Sequence, residues 1–386
     1  MTGETVHLPR GFRAAGVTAG LKASGSPDLA LVVNDGPDHA GAAVFTTNRV
    51  EAAPVTWSRQ DVTDGRVDAV VLNSGGANAC TGPQGFADTH RTAEHVAQVL
   101  AISPGDVVVC STGLIGELLP MDTLLAGVDA AAGSLTPDGL ADAAVAIKTT
   151  DTVHKVAGYS ADGWSVAGMA KGAGMLAPAL ATMLVVLTTD AVGSAPDLAA
   201  ALRSAAEATF DRIDSDGCMS TNDQVSLLVS GASGVTPDAG EFRALLAELC
   251  DDLAAQLQED AEGASHDITI EVVHAASESD AVDVGRSVAR NNLFKAAIFG
   301  NDPNWGRVLA AIGTTQAPFD PYLVDVAMNG VRVCHAGRPD APREQVDLTP
   351  RATAVLIELH AGEASATIRT NDLTHDYVHE NSAYAS

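Results

Sequence analysis

Thr182 closes the segment Lys171-Gly-Ala-Gly-Met-Leu-Ala-Pro-Ala-Leu-Ala-Thr182 and stands at the head of the apolar run 183–187. Gly172, Gly174 and Pro178 force an irregular approach to a strand that begins near residue 182. A threonine there is ordinarily a good strand former. A second reading gives it chemistry. If the Ala181–Thr182 bond were cut, Thr182 would hold a free α-amine beside its own hydroxyl, and that amine can serve as the general base without a His or Asp partner. The cut needs no outside protease: the Thr182 hydroxyl attacks the carbonyl of Ala181, an ester forms, and water releases it. Backbone strain at that bond would favour the step. A second segment, Cys110-Ser-Thr-Gly-Leu-Ile-Gly116, follows the apolar run at 107–110. A hydroxyl followed by glycine at a strand exit can aim one O–H (Thr112) and one backbone N–H (Gly113) at the same point, which is how a developing oxyanion is held. The plain alternative is a Ser/Thr-rich start of a helix.

These groups need elements to position them. The runs 29–33, 67–72, 107–110, 323–328 and 354–359 are short, rich in Val, Leu and Ile, and bounded by polar or turn residues, which predicts strands. Apolar residues recur at three and four positions over 90–102, 196–210 and 240–259, which predicts helices. Asn329-Gly330 predicts a hairpin turn. Strands and helices alternate throughout, so the expected class is α/β, with helices layered on sheet. The clearest shift in composition lies at 188–196. The turn Asn73-Ser-Gly-Gly-Ala-Asn-Ala-Cys-Thr-Gly82 reads as a tight strand exit, or as backbone N–H groups presented to an anion.

Other chemistries are excluded or unsupported. There is no GxSxG, since Gly231-Ala-Ser-Gly234 lacks the spacing, and no HExxH or GxxxxGK[ST]. The acidic stretch 211–223 imitates a calcium loop, but Arg212 would occupy its first ligand position and Asp223 its last. The 11 histidines show no metal-ligand spacing, so no metal site and no bound cofactor are expected. The formal net charge of −27 argues against nucleic acid or anionic membrane as partner and fits small-molecule work. The 5 cysteines are widely spaced with no CxxC pair. With a polar N-terminus and no apolar run long enough to span a bilayer, they predict a cytoplasmic protein.

The whole chain resembles the ornithine acetyltransferase family, also called glutamate N-acetyltransferase, of arginine biosynthesis. The resemblance rests on Arg10-Gly-Phe-Arg-Ala-Ala-Gly16, Asn73 to Gly82, Ser111-Thr-Gly-Leu-Ile-Gly116, Thr149-Thr-Asp-Thr152, Lys171-Gly-Ala-Gly-Met175 with Ala181-Thr-Met-Leu184, Ser220-Thr-Asn-Asp223, Asp302-Pro-Asn-Trp-Gly-Arg307 and Asp372-Leu-Thr-His-Asp-Tyr-Val378. It implies a two-domain α/β sandwich, distinct from the N-terminal-nucleophile hydrolase fold. It implies self-cleavage between Ala181 and Thr182 into an α chain, residues 1–181, and a β chain, residues 182–386, assembled as α2β2. It also implies ping-pong transfer: Thr182 takes acetyl from N2-acetyl-L-ornithine and passes it to L-glutamate. Some family members also acetylate glutamate from acetyl-CoA, which would then be a substrate.

By the same resemblance Thr112 and Gly113 are the oxyanion donors, and Thr149, Lys171, Thr182, Glu262, Asn381 and Ser386 contact substrate. The residue types suit such substrates: Lys171 can pair with a carboxylate and Glu262 with an ammonium. Without the resemblance, Glu262 would read as a surface acid past a helix end, and Asn381 and Ser386 as a frayed tail. Three segments depart from the family pattern: His154 stands for a proline, His266 for a lysine beside Glu262, and Asn291-Asn-Leu-Phe-Lys295 for Ser-Pro-Leu-Val-Lys. Other activities keep the same nucleophile: a paralogue acetylating other amino acids, or a self-cleaving aminopeptidase with water as acceptor. An uncut binding protein is the non-enzymatic alternative.

Overall fold

The structure is a computed structural model that describes residues 5–177 and 183–383. The apolar runs form strands whose faces meet other layers. One sheet contains β1 (Phe12–Val17), β2 (Leu29–Asn34), β4 (Ala69–Asn73) and β5 (Val107–Ser111), in the order β1-β2-β4-β5. A second contains β3 (Gly41–Phe45), β6 (Lys155–Ser160), β7 (Ser165–Lys171), β8 (Leu184–Thr189) and β9 (Gln224–Val229), in the order β3-β9-β8-β7-β6. β4 runs parallel to β5 and β8 parallel to β9; the other neighbours are antiparallel.

Alternate residues of the first sheet face opposite layers. Ala30, Val32, Val70, Leu72 and Val108 pack against Met169, Leu184 and Val186 of the second sheet and against the helix Leu140–Ala146. Leu29, Leu31, Val71 and Val109 pack on the helices Gly82–Leu100 and Met121–Ala132. The outer face of the second sheet, with Val185, Leu187, Val225 and Leu227, packs on the helices Ala195–Ala208 and Ala239–Glu259. The result is helix, sheet, sheet, helix. Coverage of both faces explains why these strands read as unbroken apolar runs.

A second layered unit follows. Its mixed sheet holds β10 (Asp267–Ala275), β11 (Asp325–Met328), β12 (Val331–His335), β13 (Arg338–Pro339), β14 (Ala352–Glu358) and β15 (Ala364–Asn371), in the order β13-β12-β11-β14-β10-β15. One face packs on the helices Glu278–Ala289, Asn292–Phe299 and Trp305–Ile312. The outer residues Thr269 and Glu271 are exposed, the alternation of a one-sided sheet. The two units are joined through Gln258, whose amide donates to the carbonyls of Ile268 (2.9 Å) and Thr370 (2.8 Å).

Two sequence expectations are corrected. The helix expected over 90–102 begins at Gly82. Its inner face there is Gly85, Asp88, Thr89 and Thr92, buried but too polar to read as a stripe, while Pro83 in the first turn starts it. The late strand expected from 323 begins at Asp325. The composition shift at 188–196 marks no break in the fold: β8 runs through Thr189, and Ala191 and Leu198 lie in the same core cluster. The Asn329-Gly330 turn is as expected, with φ of 45° and 81° between β11 and β12. β7 and β8, on either side of residue 181, are paired neighbours in one sheet, Lys171 opposite Leu184.

Candidate active site

Two strand exits make the floor of the site. β4 ends in the turn 73–82 and β5 in the turn 111–116, and parallel pairing places them side by side, Asn73 opposite Ser111. They are laced together: Gly76 N–H donates to Thr112 O (3.1 Å), Ala77 N–H to Leu114 O (2.9 Å) and Gly116 N–H to Ala79 O (2.9 Å). Gly113 has φ of 130°, and a Cβ there would lie 2.8 Å from Gly76 N, so only glycine fits. Asn222 clamps both turns, its amide donating to Ala77 O (2.6 Å) and Ser111 O (2.8 Å). The glycine-rich turn is thus the brace that holds the Thr112–Gly113 exit.

Lys171, the last residue of β7, is buried, and its Nζ lies 3.4 Å from Thr112 Oγ1 and 4.0 Å from Asp151 Oδ2. Asp151 is the hub beneath it. Its Oδ1 accepts from Gly172 N–H (2.6 Å) and Lys155 Nζ (2.8 Å), and its Oδ2 accepts from Thr149 N–H (2.9 Å). Burial would raise the Asp151 carboxyl, but Lys171 and Lys155 hold it well below the usual range. Burial likewise holds Lys171 below the ordinary lysine value, against the pull of Asp151, Asp223 and Glu262. Lys155 is itself shared with Asp260 (2.6 Å), which also accepts from the Thr152 hydroxyl, so the 149–155 loop is tied to the turn carrying Glu262.

Glu262 is held from the other side. Its N–H donates to Ala173 O (2.9 Å), and a Cβ on Gly174 would lie 2.5 Å from its carboxyl group. Asn381, on the helix His375–Ala383, donates to Glu262 Oε2 (3.0 Å). The chain end at that position is helical rather than frayed. Asp223 is buried beside β8, and its Oδ1 accepts from Met183 N–H (3.1 Å). Burial raises its carboxyl well above the usual range despite hydrogen bonds from Met183 and Ser220.

Thr112, Gly113, Thr149 and Lys171 therefore form one cluster, and Glu262 with Asn381 flanks it through Ala173 and Gly174. Ala181, Thr182 and Ser386 lie outside the described residues. Sequence reading gave no role to Asp151, Asp223, Lys155 or Asn222, although Asp151 and Asp223 sit inside two quoted motifs. A lone acid flanked by Thr or Asn was the available signal.

The departures are accommodated. His154 is exposed. His266 is buried, with Nδ1 2.7 Å from Asp372 Oδ2 and Nε2 2.8 Å from Leu348 O. Asn291 caps the helix 292–299 by accepting from Phe294 N–H (3.0 Å), and Lys295 remains buried.

The calcium-like stretch is structural: Asp214 Oδ2 accepts from Arg290 Nε (2.7 Å), and Asp216 accepts from Leu176 N–H (3.0 Å). No helix among the described residues is long and apolar enough to cross a membrane.

The profile of the ArgJ family matches residues 13–386. The chain is 64% identical over 382 residues to the arginine biosynthesis bifunctional protein ArgJ of Streptomyces coelicolor, covering 99% of this chain and 100% of that one. It is 62% identical over 382 residues to the protein of the same description from Thermobifida fusca, with the same coverage. Among solved structures, it is similar to the ornithine acetyltransferase from Mycobacterium tuberculosis complexed with ornithine. That match has 56% identity and a TM-score of 0.45, and covers 48% of this chain and 98% of that one.

Proposed function

The chain belongs to the ArgJ family and is an acetyltransferase of arginine biosynthesis, and from that premise we propose that it carries acetyl from N2-acetyl-L-ornithine to L-glutamate as an ester on Thr182. Self-cleavage before Thr182 gives chains 1–181 and 182–386. The new α-amine takes the Thr182 hydroxyl proton as the oxygen attacks the acetyl carbonyl. The C–N bond to ornithine breaks, and the same amine returns the proton to the departing nitrogen. Glutamate's amine then attacks the ester, its proton passes back to the Thr182 oxygen, and N-acetylglutamate leaves. Atoms balance across the two halves, and no cofactor is needed. Acetyl-CoA, where accepted, would load the same hydroxyl.

The observation that carries this reading is the placement of Met183, the residue after Thr182. Its N–H is fixed by Asp223, and the next residue, Leu184, is paired with Lys171, whose ammonium reaches the Thr112 hydroxyl. Thr112 Oγ1 accepts from Lys171, which leaves its O–H to donate to an oxyanion, with Gly113 N–H as the second donor. Lys171 suits a substrate carboxylate. Glu262, steadied by Asn381, suits the ornithine side-chain ammonium; Thr149 and Ser386 complete the substrate contacts. The assembly is α2β2 and the location cytoplasmic.

The test is the intact mass of purified protein after exposure to N-acetylornithine alone. Two chains are expected, with the 182–386 chain heavier by one acetyl group, discharged by glutamate to N-acetylglutamate. One uncut chain of 386 residues in active protein would end the proposal. Release of free acetate in place of acetylglutamate would make it a hydrolase.

A further inference from the structure

Three histidines and two carboxylates converge on the C-terminal unit, far from the site described above. Asp325 opens β11, His335 closes β12, Glu358 closes β14, His360 follows it, and His274 lies near the end of β10. Pairing sets Asp325 opposite Glu358, and Glu358 opposite Val273, the neighbour of His274. Asp325 Oδ1 is already occupied, accepting from Ala336 N–H (2.7 Å) and lying 2.9 Å from His335 Nδ1. Glu358 Oε1 lies 2.7 Å from His274 Nδ1. The remaining contacts are looser. His360 Nε2 is 3.4 Å from Asp325 Oδ2, and His360 Nδ1 is 3.6 Å from Glu358 Oε1.

Those last separations are long for ion-paired hydrogen bonds. The Nε2–Oδ2 separation matches instead the edge of a tetrahedron, about 3.4 Å, around an ion with ligand bonds near 2.0–2.1 Å, whereas Nδ1, on the other side of the same ring, cannot bind that ion. One ligand atom each from Asp325, Glu358 and His360 lie within 4.8 Å of one another. We infer that these three residues bind one divalent transition-metal ion, and that His335 and His274 orient the two carboxylates. An imidazole with two carboxylates disfavours calcium and magnesium, which prefer oxygen alone, and suits zinc. The Asp325 side chain is 10% exposed and that of His360 39% exposed, so the ion can enter from solvent.

β10 leads from Asp267, close to the Glu262 turn, to Ala275 beside this cluster. At about 3.3 Å per residue that is more than 20 Å, so the ion ties strands together and takes no part in acetyl transfer.

The test uses the self-processed enzyme, with the exposed thiols Cys80 and Cys218 alkylated so that they cannot bind zinc. It is stripped with chelator and dialysed against zinc chloride. One zinc per 182–386 chain is expected, with a rise in melting temperature. His360→Ala should lose both while keeping its acetyl-transfer rate, and His274→Gln should bind about tenfold more weakly. Should His360→Ala fail to fold, the unaltered enzyme at pH 5 supplies the readout, because protonation must expel the ion. Sub-stoichiometric zinc, equal binding by folded His360→Ala, or retention at pH 5 would each overturn the inference.

Discussion

At the level of single residues, the cluster couples two different tasks. Thr112 Oγ1 receives Lys171, so the ammonium both orients the hydroxyl and faces substrate. Thr112→Ala is expected to lower kcat by about 3 kcal/mol, roughly a hundredfold or more, with little change in KM, because an oxyanion donor acts in the transition state. Lys171→Met is expected to act in the opposite sense: a lost charge-assisted contact of about 1.5–3 kcal/mol should appear mainly in the KM for glutamate. Steady-state kinetics separates the two, and a Thr112→Ala enzyme of unchanged rate would remove that hydroxyl from the mechanism. Asp223 is a positioning residue, and burial shifts its carboxyl toward the neutral form. Asp223→Asn imitates that neutral form and retains an acceptor for Met183 N–H, so self-cleavage should persist. Asp223→Ala leaves the buried N–H unpaired, at about 1–3 kcal/mol, and should slow it. A gel time course of the two chains reads this directly, and equal cleavage by both variants would deny Asp223 any role.

At the level of elements, loops with no slack place the site. Gly174 passes so close to Glu262 that any side chain must push the carboxylate aside. Gly174→Ala is therefore expected to raise the KM for acetylornithine about tenfold or more while leaving melting temperature nearly unchanged; an unaltered KM would show that Glu262 does not hold the substrate. Such proximity is invisible in sequence, where Gly174 and Glu262 are far apart. What was legible followed from burial that repeats along one element: β2, β5 and the helix Ala239–Glu259 announce themselves by apolar pattern. The start of the helix at Gly82 did not, because its buried side is Thr and Asp. Thr112 was offered by its place before Gly113 at a strand exit, while Lys171 and Glu262 were reached through motif resemblance. Asp151 was quoted but given no task, since a lone acid becomes a hub only once Lys155 and Lys171 are folded against it. The histidines 274, 335 and 360 showed no ligand spacing for the same reason: strand order, not chain order, brings them together.

At the level of the whole molecule, the excess of acid over base decides how stability varies with pH. The cations are drawn into pairs such as Arg290–Asp214, Arg10–Asp190 and Lys155–Asp151, all with buried carboxylates. Among the described residues Asp61 has no such partner. It ends the helix Ala53–Asp61 close to Asp106 and Asp64, while Arg66 is engaged by Asp68 and Asp106. Burial first, then Asp106 and Asp64, push the Asp61 carboxyl up to about 8. The folded form thus binds this proton more tightly than the unfolded chain, whose Asp titrates near about 3.9. Between those values the folded state holds the extra proton, so this group makes stability fall as pH rises from about 4 to 8, after which its effect is constant. Asp61→Asn removes the dependence. The variant should match the natural chain near pH 4 and melt higher at pH 8, by about 1–2 kcal/mol once partial exposure is allowed for. Added salt should narrow the gap by screening the Asp106 and Asp64 repulsion. Melting curves at the two pH values decide it: coincident midpoints at pH 8 would mean that water or local movement relieves Asp61, and that the acidic surplus costs this fold nothing there.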